Sequence, residues 1–493
     1  MAAIEKLDTH HKALTLNLDQ AAFGSFAEIG AGQEVARWFL IVGGASGTVA
    51  KTISAYDKEV SDDLYGAGSR YVSRQRLEAM LDREWTQLLN QLAESRGSQT
   101  RFFAFVDTVS ARNYAGTNEP HGWLGLRFQQ QPGGQPNGIL LHINLRDPTN
   151  LLQQEATGIL GVNLIYAAFY QLQATEHFLD SLMQDVENRI EIDYIELRGP
   201  AFETWDQRTL LVDLVCKGFA QAVCFPSSGA PVPPTEVIHR NPVVLAPGYF
   251  VHMDPSHAEI HTRMLASGIR QLQGETGEAK TSPKGFFCLT LAPPNTAEPP
   301  PEVAALLERI DGLRSHGGDV LLFREPELYT MTDFVNRYTE ELVRFVVGLS
   351  VVIRAFEDRY SKLGGGFLEA LSRLLAQNVP HRADLAGEAV ALAQQPRGGV
   401  GAAVAEFRER QGHYRYPRQV IGQVVHRLVG LDPHADVAAL VQQRPGLGLE
   451  AGEGDDHVAM RRAVVVRHGG EPVVDQGEGP ILKLNVLRHR PRP

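Results

Sequence analysis

Cysteine is scarce. Cys216, Cys224 and Cys288 are the only three in 493 residues, too few and too irregularly spaced for a disulfide framework or a zinc knuckle. Basic excess is also lacking: 47 Lys and Arg stand against 58 Asp and Glu, for a formal charge of −11. That balance argues against broad binding to nucleic acid or to an anionic membrane, while leaving room for a local basic pocket. The longest apolar stretch, Ile159 to Leu172, contains Asn163 and is too short to cross a bilayer. The N-terminal MAAIEKLDTHHK has no apolar segment of the signal-peptide kind. These absences predict a soluble, cytoplasmic protein. With 43% apolar residues the chain can bury a large core and form two or three domains.

One stretch concentrates chemistry. In RWFLIVGGASGTVAKTISAYDKEVSDDLYGAGSRYVSR (37–74), Trp38 to Val42 reads as a short buried strand or a helix end. Gly43, Gly44 and Gly47 can then take backbone angles closed to other residues and turn amide N–H groups toward an anion. Val49, Ile53 and Tyr56 recur at helical spacing. Asp57, Asp62 and Asp63 follow as candidate magnesium carboxylates, then Arg70 and Arg74 as phosphate-facing cations. With Lys51 these residues make a candidate nucleotide site. A Walker-type loop would place glycine directly before Lys51-Thr52, where Ala50 stands. VGGASGT is similar to the dinucleotide turn of short-chain dehydrogenases, but none of the thirteen tyrosines has the lysine four residues later that those enzymes use. The plainer reading is a glycine-permitted turn, with the acids on a solvated helix end.

Regular elements surround this stretch. RQRLEAMLDREWTQLLNQLAES (74–95) is an amphipathic helix stopped by Gly97. Segments 101–107, 123–129 and 139–145 read as strands of a meander or mixed sheet. The polar loop between the first two supplies Asp107, Arg112, Asn113 and His121, with Asp107 and His121 as acid–base candidates. A central apolar helix follows from its cap at Thr149, then a helix near 178–186, the alternating strand 190–197, a helix at 208–222 and the strand 222–225. HAEIH (257–261) sets two histidines four residues apart, but no third ligand accompanies them. Strands 285–291 and 319–323 flank a helix, as in a parallel crossover pair. Tyr329 to Phe356 reads as helix, with Arg337, Arg344 and Arg354 on exposed faces. The fold class is therefore α/β or α+β: a mixed sheet flanked by helices, with an irregular C-terminal tail. Proline-rich SSGAPVPPTE suggests a main domain over 1–230, with glycine loop, and a second lobe over 231–379.

From Pro380 to Pro493 there is no Ser, Thr, Trp or Cys, one Phe and one Lys, against fourteen Arg. The enriched types all have GC-rich codons, which points to a frameshifted reading of a GC-rich gene; a genuine Arg/Ala-rich appendage is the alternative.

From LDTHHKALTLNLD through VGGASGTVAKTISAYD, RYVSRQRL, FFAFVDTVSAR, HGWLGLRFQ and QQEATGILGVNLIYAAFY to GGGFLEALSRLL, the chain resembles a bacterial family of about this length, over roughly residues 7–379. Its members carry the name nicotinate-nucleotide adenylyltransferase, and sometimes TonB-dependent receptor. The first name implies transfer of AMP from ATP to a mononucleotide with magnesium. The GxFxPxHxGH-type and ISSTxxR-type segments of such enzymes do not occur in this sequence, nor does the signal peptide of a receptor. The expectation is a protein handling a nucleotide or phosphometabolite with magnesium and ATP or another nucleotide, with no nucleic-acid or membrane partner and homo-oligomerisation left open. The alternative is a non-catalytic assembly or metabolite-binding regulator.

Overall fold

The computed structural model describes residues 7–68, 70–251, 255–276, 282–291 and 301–347, with Leu363 and Ala370. The chain divides into two compact units, Met1–Asp436 and Val437–Pro493, and every described residue lies in the first. The anomalous segment 380–493, Arg354 and the side chain of His257 lie outside the described residues.

The chain opens with α1 (Thr9–Leu18), β1 (Ala22–Gly30), α2 (Val35–Ile41), β2 (Val49–Ser54), α3 (Lys58–Tyr65) and α4 (Arg74–Arg96). Three long strands follow, β3 (Arg101–Ser110), β4 (His121–Gln129) and β5 (Pro136–Leu145), then α5 (Asn150–Tyr170), α6 (Thr175–Met183) and β6 (Ile190–Arg198). These strands form one six-stranded sheet in the order β2-β1-β3-β4-β5-β6. β1 pairs parallel with β2 and β3, and the remaining pairings are antiparallel. The expected meander is therefore present, extended by a parallel half.

A second sheet, ordered β11-β8-β9-β10-β7, takes β7 (Ala222–Phe225), β8 (Val243–Gly248), β9 (Lys284–Thr290), β10 (Asp319–Phe323) and β11 (Val343–Phe345). Its helices are α7 (Gln207–Cys216), α8 (Pro234–Ile238), α9 (Pro255–Thr276), α10 (Val303–Ser315) and α11 (Leu328–Val335). β9 and β10 pair in parallel around α10, as their spacing predicts. β7 precedes the proline-rich segment yet pairs with β10, so the second sheet recruits a strand from before the expected boundary.

Two local expectations fail. Residues 49–54 form a strand, not a helix: Val49, Thr52 and Ile53 are β-branched, and the open edge of β1 supplies a partner that helical spacing cannot reveal. Of the two readings open for Trp38 to Val42, the helix end is the one the structure adopts, in a helix over Val35–Ile41. The helix expected from Tyr329 to Phe356 stops at Val335, and Val343–Phe345 instead pairs with β8. In consequence Arg337 faces inward to donate to Glu191 at 2.8 Å, and Arg344 is buried.

The first sheet is covered on both faces. On one, Phe26, Phe105, Leu124, Leu126 and Leu141 pack with Val35, Phe39 and the length of α5 in a core that continues into the second sheet through Val244, Leu289 and Leu322. On the other, Ala27, Val106, Trp123 and Leu140 meet Leu77, Met80 and Leu81 of α4. Ser73 caps α4 by accepting from the Arg76 amide, and Thr149 caps α5 by accepting from Leu152.

Candidate functional site

Topology locates the candidate site. The chain leaves β1 through α2 on one face to reach β2, then returns through α3 and α4 on the other face to reach β3. The carboxyl end of strands joined in this way is where α/β sheets usually place their sites. That end of the sheet holds Glu28 of β1, Asp107 of β3 and, through antiparallel pairing, His121 at the start of β4.

Asp107 and His121 share the end but not the face. His121 pairs with Ser110, three residues beyond Asp107, and alternation turns them to opposite sides. Asp107 lies in register with Glu28 on the α2 side. It is wholly buried, and neither carboxyl oxygen has a hydrogen-bond partner. Burial, then the neighbouring Glu28 carboxylate, pushes its pKa well above the usual range; the nearby Ile29 amide offsets little. Burial pushes Glu28 up to about 7, although its oxygens accept from the Val35 and Ala36 amides at 2.8 and 3.2 Å in the first turn of α2. Asp107 therefore holds its proton more firmly than Glu28, whose carboxylate is supported by two amides of the helix terminus.

On the α4 side three groups connect in line. Asp193 of β6 accepts from His142 Nδ1 at 2.6 Å, and His142 Nε2 faces His121 Nδ1 at 3.2 Å. Asn144 and the Tyr338 hydroxyl donate to the other Asp193 oxygen at 2.8 and 2.7 Å. Burial alone would raise Asp193, but the His142 ring and these hydrogen bonds outweigh it and hold the carboxyl below its ordinary value. The network assigns the protons: His142 donates from Nδ1, so its Nε2 accepts from His121 Nδ1–H, and His121 Nε2 is left as the outer lone pair. His121 is half-buried. Burial, His142, Arg70 and His239 together depress its pKa to about 3, against the opposing pull of Asp193. Arg70 is exposed and makes no ion pair among the described residues.

The remaining sequence candidates separate. Gly43 and Gly44 take positive φ, +87° and +75°, but the turn is closed on itself: the Gly47 amide donates to Gly44, the Thr48 amide to Ala45, and the Gly43 carbonyl accepts from Asn17. This turn precedes β2, whereas Asp57 and the arginines follow it. Six residues of strand, roughly 20 Å, divide the proposed cradle from the proposed cations. Lys51 points from β2 to α4, where its Nζ lies 2.5 Å from Glu84 and 3.0 Å from Gln87. Asp57 caps α3 through the Glu59 and Val60 amides. Asp62 binds Arg76 at 2.8 Å and accepts from Tyr71, and Asp63 is exposed. Arg74 is held by Glu196 at 2.6 Å. No group of three metal-ligating side chains occurs among the described residues, so the three aspartates do not form the expected magnesium set. Of the expected residues, Arg70 lies within electrostatic reach of His121 and lowers its pKa; Asp107 faces the other side of the sheet, Asp63 is exposed, and the others are engaged elsewhere.

Sequence reading passed over His142, Asp193, Tyr338, His239 and Glu28. For His142 and Glu28 a signal was present, since each is a titratable residue inside an otherwise apolar strand; Asp193 had none, because β6 carries Glu191, Glu196 and Arg198 as well.

No family model matches the chain, and no curated protein matches it. Among solved structures, the competence/damage inducible protein CihA from Agrobacterium tumefaciens is similar at 20% identity over 34% of this chain and 98% of its own, with a TM-score of 0.24. A competence or damage-inducible protein from Enterobacter asburiae matches at 12% identity, over 33% of this chain and 99% of its own, with a TM-score of 0.25. A CinA superfamily protein from Enterobacter cloacae matches at 9% identity over 34% and 96%, again at 0.25. Likenesses this weak carry no argument about what this chain binds. No helix among the described residues is long and apolar enough to cross a membrane.

Proposed function

We propose that this chain handles a phosphorylated small molecule, a nucleotide among the candidates, at Arg70 and His121. The observation that supports it is the line Asp193–His142–His121, which ends on a bare Nε2 within electrostatic reach of Arg70, an arginine with no carboxylate partner among the described residues. A phosphate placed there takes its charge compensation from Arg70. It also opposes the burial and cationic neighbours that keep His121 neutral, since a nearby anion favours the imidazolium. His121 then takes up a proton at Nε2 as the ligand arrives, and Asp193 steadies the charge through His142. AMP transfer to a mononucleotide, the activity implied by the family resemblance, is the sharper form of this reading. Magnesium would enter on the nucleotide's own phosphates, because Asp57 and Asp62 are engaged within the protein.

The test is a thermal-shift screen of ATP, nicotinamide mononucleotide, nicotinate mononucleotide and NAD, with and without magnesium. A ligand at hundredfold excess over its Kd stabilises by about 2.7 kcal/mol. That gain should vanish in Arg70→Ala while the unliganded melting temperature stays put. Equal stabilisation of wild type and variant overturns the site; turnover of the stabilising ligand separates an enzyme from a binding protein.

A further inference from the structure

The α4 face of the first sheet carries a second polar concavity, near the opposite end from His121. Between β1, β2 and the C-terminal half of α4 lies a cavity of about 190 Å³, walled by Phe23, Ala50, Leu88 and Leu92. It is smaller than the sites that take drug-sized ligands and suits a compact organic molecule. Ser25, Lys51 and Arg96 supply polar groups to the same lining.

Charge narrows the ligand. Lys51 is neutralised by the buried Glu84 carboxylate at 2.5 Å, which also accepts from Tyr65 at 3.0 Å. Arg96 stacks over the Phe23 ring at 3.8 Å and has no carboxylate partner among the described residues, so the cavity carries one uncompensated positive charge. Ser25 is 1% exposed, and its hydroxyl has no hydrogen-bond partner. A buried hydroxyl without a partner is unfavourable unless something else satisfies it. We infer that the cavity binds a small organic monocarboxylate, with its apolar body against Phe23, Leu88 and Leu92, its charge on Arg96, and a hydrogen bond from Ser25. A dianion such as phosphate would overcharge the site and leave the apolar walls unused. The inference is separate from the reading of His121, since neither Arg70 nor the histidine line reaches this end.

Titration calorimetry of the full chain with sodium benzoate, benzamide and inorganic phosphate tests it. Benzoate should bind at one saturable site, and benzamide, of the same shape without the charge, about tenfold more weakly. Phosphate should not compete with benzoate. Arg96→Gln should weaken benzoate about tenfold, with Arg96→Lys recovering part of the loss. Ser25→Ala should weaken it several-fold while leaving the unliganded melting temperature unchanged or higher, because it deletes an unpartnered polar atom. The absence of saturable benzoate binding, equal binding of benzamide or phosphate, or an unchanged affinity in both Arg96→Gln and Ser25→Ala would overturn the assignment.

Discussion

At the scale of single residues, the two faces of the first sheet answer pH in opposite directions. His121 has a folded pKa depressed to about 3 by burial and neighbouring cations, so the unfolded chain binds the extra proton first. Stability contributed by its neutral form is present above pH 6.5 and declines as pH falls toward 3, by up to about 1.4 kcal/mol per unit and by less because its outer edge is solvated. His121→Gln should therefore melt closer to wild type, or above it, as the buffer is acidified. Asp107 runs the other way. Its pKa is raised by burial and by Glu28, so stability is full at low pH and is lost as pH rises beyond the unfolded carboxyl range. Asp107→Asn keeps the shape and the neutral state; its melting temperature relative to wild type should climb from pH 5 to pH 8. A flat difference in either series would remove the corresponding pKa argument. Asp107 and His121 stood out in the sequence as polar residues bordering apolar strands, but they were read as parts of the connecting loop, and the structure places both within strands. Lys51 and the three aspartates misled because an isolated run of residues cannot show which of its charges already has a partner elsewhere in the chain: Glu84 lies 33 positions beyond Lys51, and Arg76 lies 14 beyond Asp62.

At the scale of elements, periodicity was reliable where it was long. α4 and α5 read correctly with their caps, and β3, β4, β5 and β6 form where strands were read, although both faces of β3, β4 and β5 are buried, so their burial does not alternate. β2 was missed because six residues fit either period, and the deciding fact, the open edge of β1, is not local. The order β2-β1-β3 was equally out of reach for the same reason. The join between α2 and α5 makes this level testable. A Cβ at Gly161 of α5 would overlap the Val35 side chain of α2 and approach Phe105 within 3.1 Å. Gly161→Val should thus cost about 1–3 kcal/mol by overpacking, and Gly161→Val combined with Val35→Ala should recover part of it in denaturant unfolding. Additive losses in the double variant would mean that the helices do not meet there.

At the scale of the described molecule, the two sheets are bound by one apolar core and by a polar bridge at the candidate site. The core runs from Phe26 and Phe105 through α5 to Leu289 and Leu322, and the bridge is Tyr338, whose hydroxyl reaches Asp193 at 2.7 Å from the segment between α11 and β11. Arg337 adds its contact to Glu191 on the same strand, β6. Packing of this continuity predicts that both sheets unfold together, in one transition seen alike by tryptophan fluorescence and far-ultraviolet dichroism. Tyr338→Phe separates the structural role of the bridge from its role at the site. It leaves the ring in its core and removes one donor to a buried carboxylate, a loss of about 1–3 kcal/mol. With that donor gone, the Asp193 pKa should rise, and the carboxylate should steady a charged His121 less well. Ligand binding by Tyr338→Phe should then show a smaller proton uptake than wild type when calorimetry is repeated in buffers of different ionisation enthalpy. Unchanged proton uptake alongside reduced stability would confine Tyr338 to joining the two sheets and detach it from the chemistry of His121.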